Sequence, residues 1–129
     1  MLMSMEGKLV SNLFQLGDFI SHSGVPLDWK IDVDALGDDD LKCLALIGSQ
    51  KVPLFSEVIG IPRGGLRFAK EMAKYTREEG GILLVDDVLT TGASMVEWQK
   101  KTGARSGLVI FSRRILTKPH WVTSIFTIT

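Results

Sequence analysis

The 129-residue sequence holds one cysteine, two histidines and no excess of either charge, and each shortage narrows what the chain can be. A single cysteine, Cys43, excludes an internal disulfide and any cysteine-rich zinc site, and it fits a reducing compartment. Its apolar surroundings predict a buried core thiol. Fifteen basic residues balance fifteen acidic ones, so the chain lacks the basic excess that draws proteins to phosphate polymers, and no nucleic-acid partner is expected. Small anionic ligands remain open. No apolar run approaches the roughly 18 residues of a membrane span, and the stretch MLMSMEGKLV carries Glu6 and Lys8 among its apolar residues. A cytoplasmic protein without a membrane partner is the expectation. Repeats and low-complexity tracts are also missing.

What remains suits one domain, because a chain of this length buries roughly two-thirds of the surface its unfolded form exposes. The expected division is an N-terminal helix and small hood over about 1–37, and an α/β core over about 38–129. Leu9, Val10, Leu13, Phe14 and Leu16 predict an amphipathic helix that stops near Gly17. Phe19 to His22 and Leu27 to Val33 read as short extended pieces around the turn residues Ser23, Gly24 and Pro26. Asp38, Asp39 and Asp40 precede Leu41, Leu44, Ala45 and Gly48 at helical spacing, where carboxylates complement a helix N-terminus. Adjacent carboxylates there point in different directions, which argues against a metal site.

From that point strand and helix alternate. A helix to about Ser49, a strand at Glu57 to Ile61, a helix from Leu66 to about Thr76 and a strand at Ile82 to Val85 are expected. A helix from about Gly92 to Thr102 follows, closed by Gly103, then a strand at Gly107 to Ser112 and an apolar, β-branched run from Trp121 to Thr129. This alternation predicts a parallel sheet covered by helices on both faces. Ligands of such sheets gather at the carboxyl ends of the strands.

Two loops at such ends carry chemistry. Ile82, Leu83, Leu84 and Val85 would fix a strand in the core and deliver Asp86 and Asp87 at its end, where carboxylates can accept hydrogen bonds from a vicinal diol or ligate magnesium. Thr90, Thr91, Gly92, Ala93 and Ser94 then offer small hydroxyls and open backbone amides at a helix start, which is anion-binding geometry. The other loop, Gly60, Ile61, Pro62, Arg63, Gly64 and Gly65, lets backbone amides approach a ligand closely. Arg63 adds a fork of donors for phosphate oxygens, although PRGG is also a good strand-to-helix turn.

An acid pair, two residues and then Thr-Thr-Gly-Ala-Ser after an apolar strand resembles the signature of type I phosphoribosyltransferases. The resemblance implies a Rossmann-like parallel sheet with a small hood. It also implies a site for phosphoribosyl pyrophosphate or a nucleoside monophosphate with Mg, and a homodimer. Asp86 and Asp87 would meet the ribose 2′ and 3′ hydroxyls and hold the magnesium, directly or through water and ligand. Thr90 to Ser94 would wrap the 5′-phosphate, and Gly60 to Gly64 would receive the pyrophosphate, with Asp86, Asp87 and Arg63 as the catalytic set. FQLGDFISHSGVPLDWKID is similar to the hood of orotate phosphoribosyltransferases, which points to His22 and Lys30 as base contacts and to a pyrimidine acceptor. Phe111-Ser112-Arg113-Arg114 resembles that subfamily's Asp-Arg segment with serine for aspartate, making Arg113 a further base or phosphate contact. Trp121 would either stack on the base or simply pack.

One part is missing. Type I enzymes carry a flexible loop between the two ligand loops, whereas here only Leu66 to Gly80 intervene, enough for one helix with Leu66, Ala69, Met72, Ala73 and Thr76 inward. The chain thus looks like a shortened orotate phosphoribosyltransferase. A lid would keep water from the oxocarbenium-like state, so its lack leaves three readings. They are phosphoribosyl transfer to a nitrogenous base, a non-catalytic phosphoribosyl pyrophosphate or nucleotide-binding regulator, and a sugar-phosphate hydrolase.

Overall fold

A computed structural model describes residues 13–20, 26–113 and 119–128. Two strands open it, β1 (Phe14–Ile20) and β2 (Pro26–Ile31), paired antiparallel with a register shift between Leu16 and Phe19. Phe14 and Leu16 therefore lie in a strand, where helical spacing predicted the end of a helix, while Phe19 and Ile20 are extended as expected. Residues 9–12 of that expected helix lie outside the described residues. An apolar set at 13, 14 and 16 fits either period, and the cross-strand partners Phe14 with Ile31 and Leu16 with Trp29 decide for the strand.

The core follows as α1 (Asp38–Ser49), β3 (Glu57–Gly60), α2 (Leu66–Met72), β4 (Ile82–Leu89), α3 (Ala93–Thr102), β5 (Ser106–Arg113) and β6 (Val122–Ile128). Its four strands run parallel in the order β3-β4-β5-β6. The acidic triplet starts α1 as expected: Asp40 Oδ2 accepts from the Gly37 amide at 2.9 Å, and Asp38 accepts from Arg67 of α2 at 3.2 Å. Leu41, Leu44, Ala45 and Gly48 face inward. Cys43, two positions from Leu41, falls on the opposite side of α1 and is exposed, which corrects the expectation of a core thiol.

The inward face of α2 also differs from expectation. Phe68 and Met72 are fully buried while Leu66 is exposed, and the helix tightens into a 3-10 turn at Ala73–Tyr75 instead of running on to Thr76. Strand alternation then sorts the core into two layers. Leu83, Val85, Leu108 and Ile110 pack with Leu41 and Leu44 of α1 and Phe68 and Met72 of α2. Leu84 and Val109 point the other way, into a cluster with Met95 of α3.

Helices α2 and α3 thus cover opposite faces although β3, β4 and β5 are successive neighbours. Two such crossovers advancing in one direction have opposite hands, so one departs from the right-handed rule that about 98% of parallel connections obey. The arrangement keeps α2 and β4 consecutive in the chain, with no strand between them. It leaves the α3 side of β3 without a covering helix among the described residues. No helix there is long and apolar enough to cross a membrane.

Candidate functional site

At the carboxyl end of β4 the chain departs from a plain strand-and-loop arrangement. Strand pairing continues past Val85, with Asp86 opposite Val109 and Leu89 opposite Ser112. Both acids are therefore strand residues, half-buried, and not members of a solvated loop as their position after four apolar residues suggested. The Asp87 amide donates to Asp86 Oδ1 at 2.8 Å, and the Val88 amide donates to Asp87 Oδ1 at 2.7 Å. Burial, reinforced by the adjacent Asp87 carboxyl, pushes the Asp86 carboxyl up from 3.8 to about 8.

Beyond Leu89 the chain turns through Thr90, Thr91 and Gly92 into α3. Gly92 takes φ +89°, a left-handed conformation that residues with a side chain rarely adopt, and it gives the helix no side-chain cap. The Thr91 hydroxyl accepts from the Ala93 amide at 3.4 Å, while the first-turn amides of a helix have no partner within it. Asp86, Thr90, Thr91, Gly92, Ala93 and Ser94 border one cavity of about 380 Å³, within the range of small-molecule sites.

The second loop closes over the same strand end. Ile61 donates to the Val85 carbonyl at 2.9 Å, Gly65 donates to the Ile61 carbonyl at 2.9 Å, and the Pro62–Arg63 peptide is cis. Ile61 and Pro62 line the cavity, whereas Arg63 is exposed on the turn. Gly64 sits against Asp87: a Cβ built there would overlap the carboxylate oxygens. The acids accordingly divide their directions, Asp86 toward the cavity and Asp87 toward the Gly60–Gly64 turn.

The remaining candidates are not gathered there. His22 lies outside the described residues. Lys30 is placed only by its backbone, opposite Gln15 in the hairpin ladder. Arg113 ends β5, half-buried, in register with Ile128. The Trp121 ring packs on the α3-side cluster at the amino end of β5, so close that a Cβ on Gly107 would lie 3.0 Å from it, and it does not border the cavity. Five bordering residues escaped the sequence reading, Val88, Leu89, Met95, Glu97 and Trp98. Trp98 lies four positions after Ser94, one turn along the same helix face, a spacing that could have found it. Among the described residues no group of three or more His, Cys, Asp or Glu could hold a metal ion, so a cation would depend on the Asp86–Asp87 pair and on its ligand.

Solved structures share this fold. An orotate phosphoribosyltransferase from Aeropyrum pernix superposes with a TM-score of 0.65 at 23% identity, covering 89% of this chain and 88% of that one. The Mycobacterium tuberculosis H37Rv orotate phosphoribosyltransferase in complex with inorganic phosphate gives 0.59 at 16%, covering 88% and 87%. Its counterpart from Francisella tularensis gives 0.57 at 16%, covering 91% and 81%. No protein-family model and no curated protein matches the sequence.

Proposed function

We propose that this chain, which has the type I phosphoribosyltransferase fold, binds phosphoribosyl pyrophosphate with Mg and transfers the phosphoribosyl group to a nitrogenous base, a pyrimidine such as orotate. The observation that carries the proposal is the convergence of Asp86 with Thr90 to Ser94 on one cavity, with the Gly60–Gly64 turn closed onto the same strand end. In it the first-turn amides of α3 and the small hydroxyls hold the 5′-phosphate. Asp86 and Asp87 take the ribose hydroxyls. Asp87, packed on Gly64, stands where ribose and pyrophosphate meet.

Among the described residues Asp86 and Asp87 have no third His, Cys, Asp or Glu beside them, and magnesium is usually held by one or two carboxylates together with substrate phosphates. Asp86 and Asp87 would hold it, and it would neutralise charge on the departing pyrophosphate. In the reaction the bond from C1′ to the pyrophosphate oxygen breaks as a base nitrogen bonds to C1′, and the base loses a proton. No side chain serves as nucleophile. What the protein supplies is position and charge: fixed amides at the phosphate, acids at the ribose, and the Arg63 guanidinium at the leaving group. Action as a homodimer belongs to the same proposal and rests on the resemblance of the loops, and action in the cytoplasm rests on the composition of the sequence.

Pyrophosphate release from phosphoribosyl pyrophosphate and Mg, assayed with and without each common base, tests the proposal. Release that requires orotate or another base is the expected result. Base-independent release would instead mean hydrolysis, and tight binding without release would mean a non-catalytic binder.

A further inference from the structure

A second cavity, of about 270 Å³, shares no lining residue with the first. The last turn of α1 borders it with Leu46 and Gln50, the connection into β3 with Val52 and Leu54, and the chain past α2 with Arg77. These segments precede β3 and β4, so the cavity lies at the amino ends of the strands whose carboxyl ends carry Gly60 and Asp86. Backbone contacts fix its walls. The Arg77 amide donates to the Phe55 carbonyl at 2.8 Å, and Gly80 passes so close to the Leu54 carbonyl that a Cβ there would overlap it.

We propose that this cavity binds a small carboxylate with an apolar body of one ring or one branched chain. Arg77 is the one cation among the bordering residues. Its Nη1 donates to the carbonyls of Tyr75 at 3.4 Å and Thr76 at 3.3 Å, which orients the guanidinium. Among the described residues its Nε and Nη2 have no acceptor, and no carboxylate pairs with it. Two parallel N–H donors of a guanidinium meet both oxygens of a carboxylate, and one cation matches one negative charge. The rest of the lining suits an apolar body. Leu54 is 60% exposed and Leu46 48% exposed, although both border the cavity, so a ligand there would take apolar surface out of water. The volume falls below the roughly 300–1,000 Å³ of drug-sized sites, which limits the body to a small one.

Amide NMR titration with phenylacetate and with its neutral isostere phenylacetamide tests the site. Phenylacetate should shift the amides of Leu46, Gln50 and Leu54 at millimolar concentration. It should bind roughly tenfold tighter than the amide, the worth of a hydrogen bond to a charged group. Arg77→Gln, at an exposed position, should bring the acid down to the affinity of the amide. Leu54→Ala, also exposed, should weaken both probes alike. Shifts confined to Thr90 to Ser94, which would place the probe in the first cavity, would overturn the site. So would equal affinity of the two probes for the native chain, an acid preference that survives Arg77→Gln, or unchanged affinity in Leu54→Ala. None of these outcomes bears on the phosphoribosyl site, whose residues lie at the other end of the strands.

Discussion

Asp87 of β4 and Gly64 of the turn after β3 are in contact: the carboxylate occupies the space in which any other residue at 64 would place its Cβ. A strand residue and a turn residue are thereby held in one register by the absence of a methyl group. Gly64→Ala must displace the acid or lift the turn. The expected result is at least a roughly tenfold loss of phosphoribosyl pyrophosphate affinity by calorimetry, since a 1 Å error in a positioned group costs heavily. Gly37→Ala, whose Cβ would meet Asp40 Oδ2 at an ordinary 3.6 Å, is the control and should bind normally.

Asp86 makes stability depend on pH. Its carboxyl is pushed up to about 8 in the folded chain from 3.8, mainly by burial, so between these values the folded state holds a proton that the unfolded state has lost. This contribution favours the folded state least at high pH. The midpoint of thermal unfolding of the metal-free protein should fall as pH rises from 5 to 8, and Asp86→Asn should flatten that slope. An unchanged slope in the variant would remove Asp86 as its source.

Arg63 is exposed on the turn. Arg63→Ala should leave the unfolding midpoint within about 2 °C, since such surface changes stay within roughly 0.5 kcal/mol. It should raise the KM for phosphoribosyl pyrophosphate roughly tenfold or more, the worth of a lost hydrogen bond to a charged group. Arg63→Lys should restore only part, because an ammonium lacks the planar fork. Steady-state kinetics with pyrophosphate as product inhibitor would show the change at the leaving group.

Phe68 and Cys43 lie on the same side of the sheet but differ in what they hold. Phe68 is fully buried between α2 and the sheet, and Phe68→Ala should cost about 3–5 kcal/mol in urea unfolding. Cys43 is exposed, so Cys43→Ser should stay within about 0.5 kcal/mol, where a core thiol would lose more.

The sequence alone determined the α/β class, the placement of both candidate loops at strand ends and the helix beginning at the acidic triplet. Each is a local matter. Four apolar residues before two acids, small residues before a helix, and Asp38 to Asp40 before Leu41 are decided by neighbours in the chain. Gly103 likewise closed α3 where expected.

Only the tertiary structure decided what lies across the chain. Phe14 and Leu16 joined a strand because β2 pairs with them, and β4 continued through both acids because β5 runs beside it to Ser112. That pairing half-buries Asp86 and turns Asp87 onto Gly64, a residue more than twenty positions earlier. Trp121, a candidate for stacking, packs on Gly107, while Trp98 borders the cavity instead. Spacing along a chain fixes which residues share a face. Which face meets a ligand depends on what covers it, and here α1 and α2 share one side of the sheet, leaving the α3 side of β3 open among the described residues.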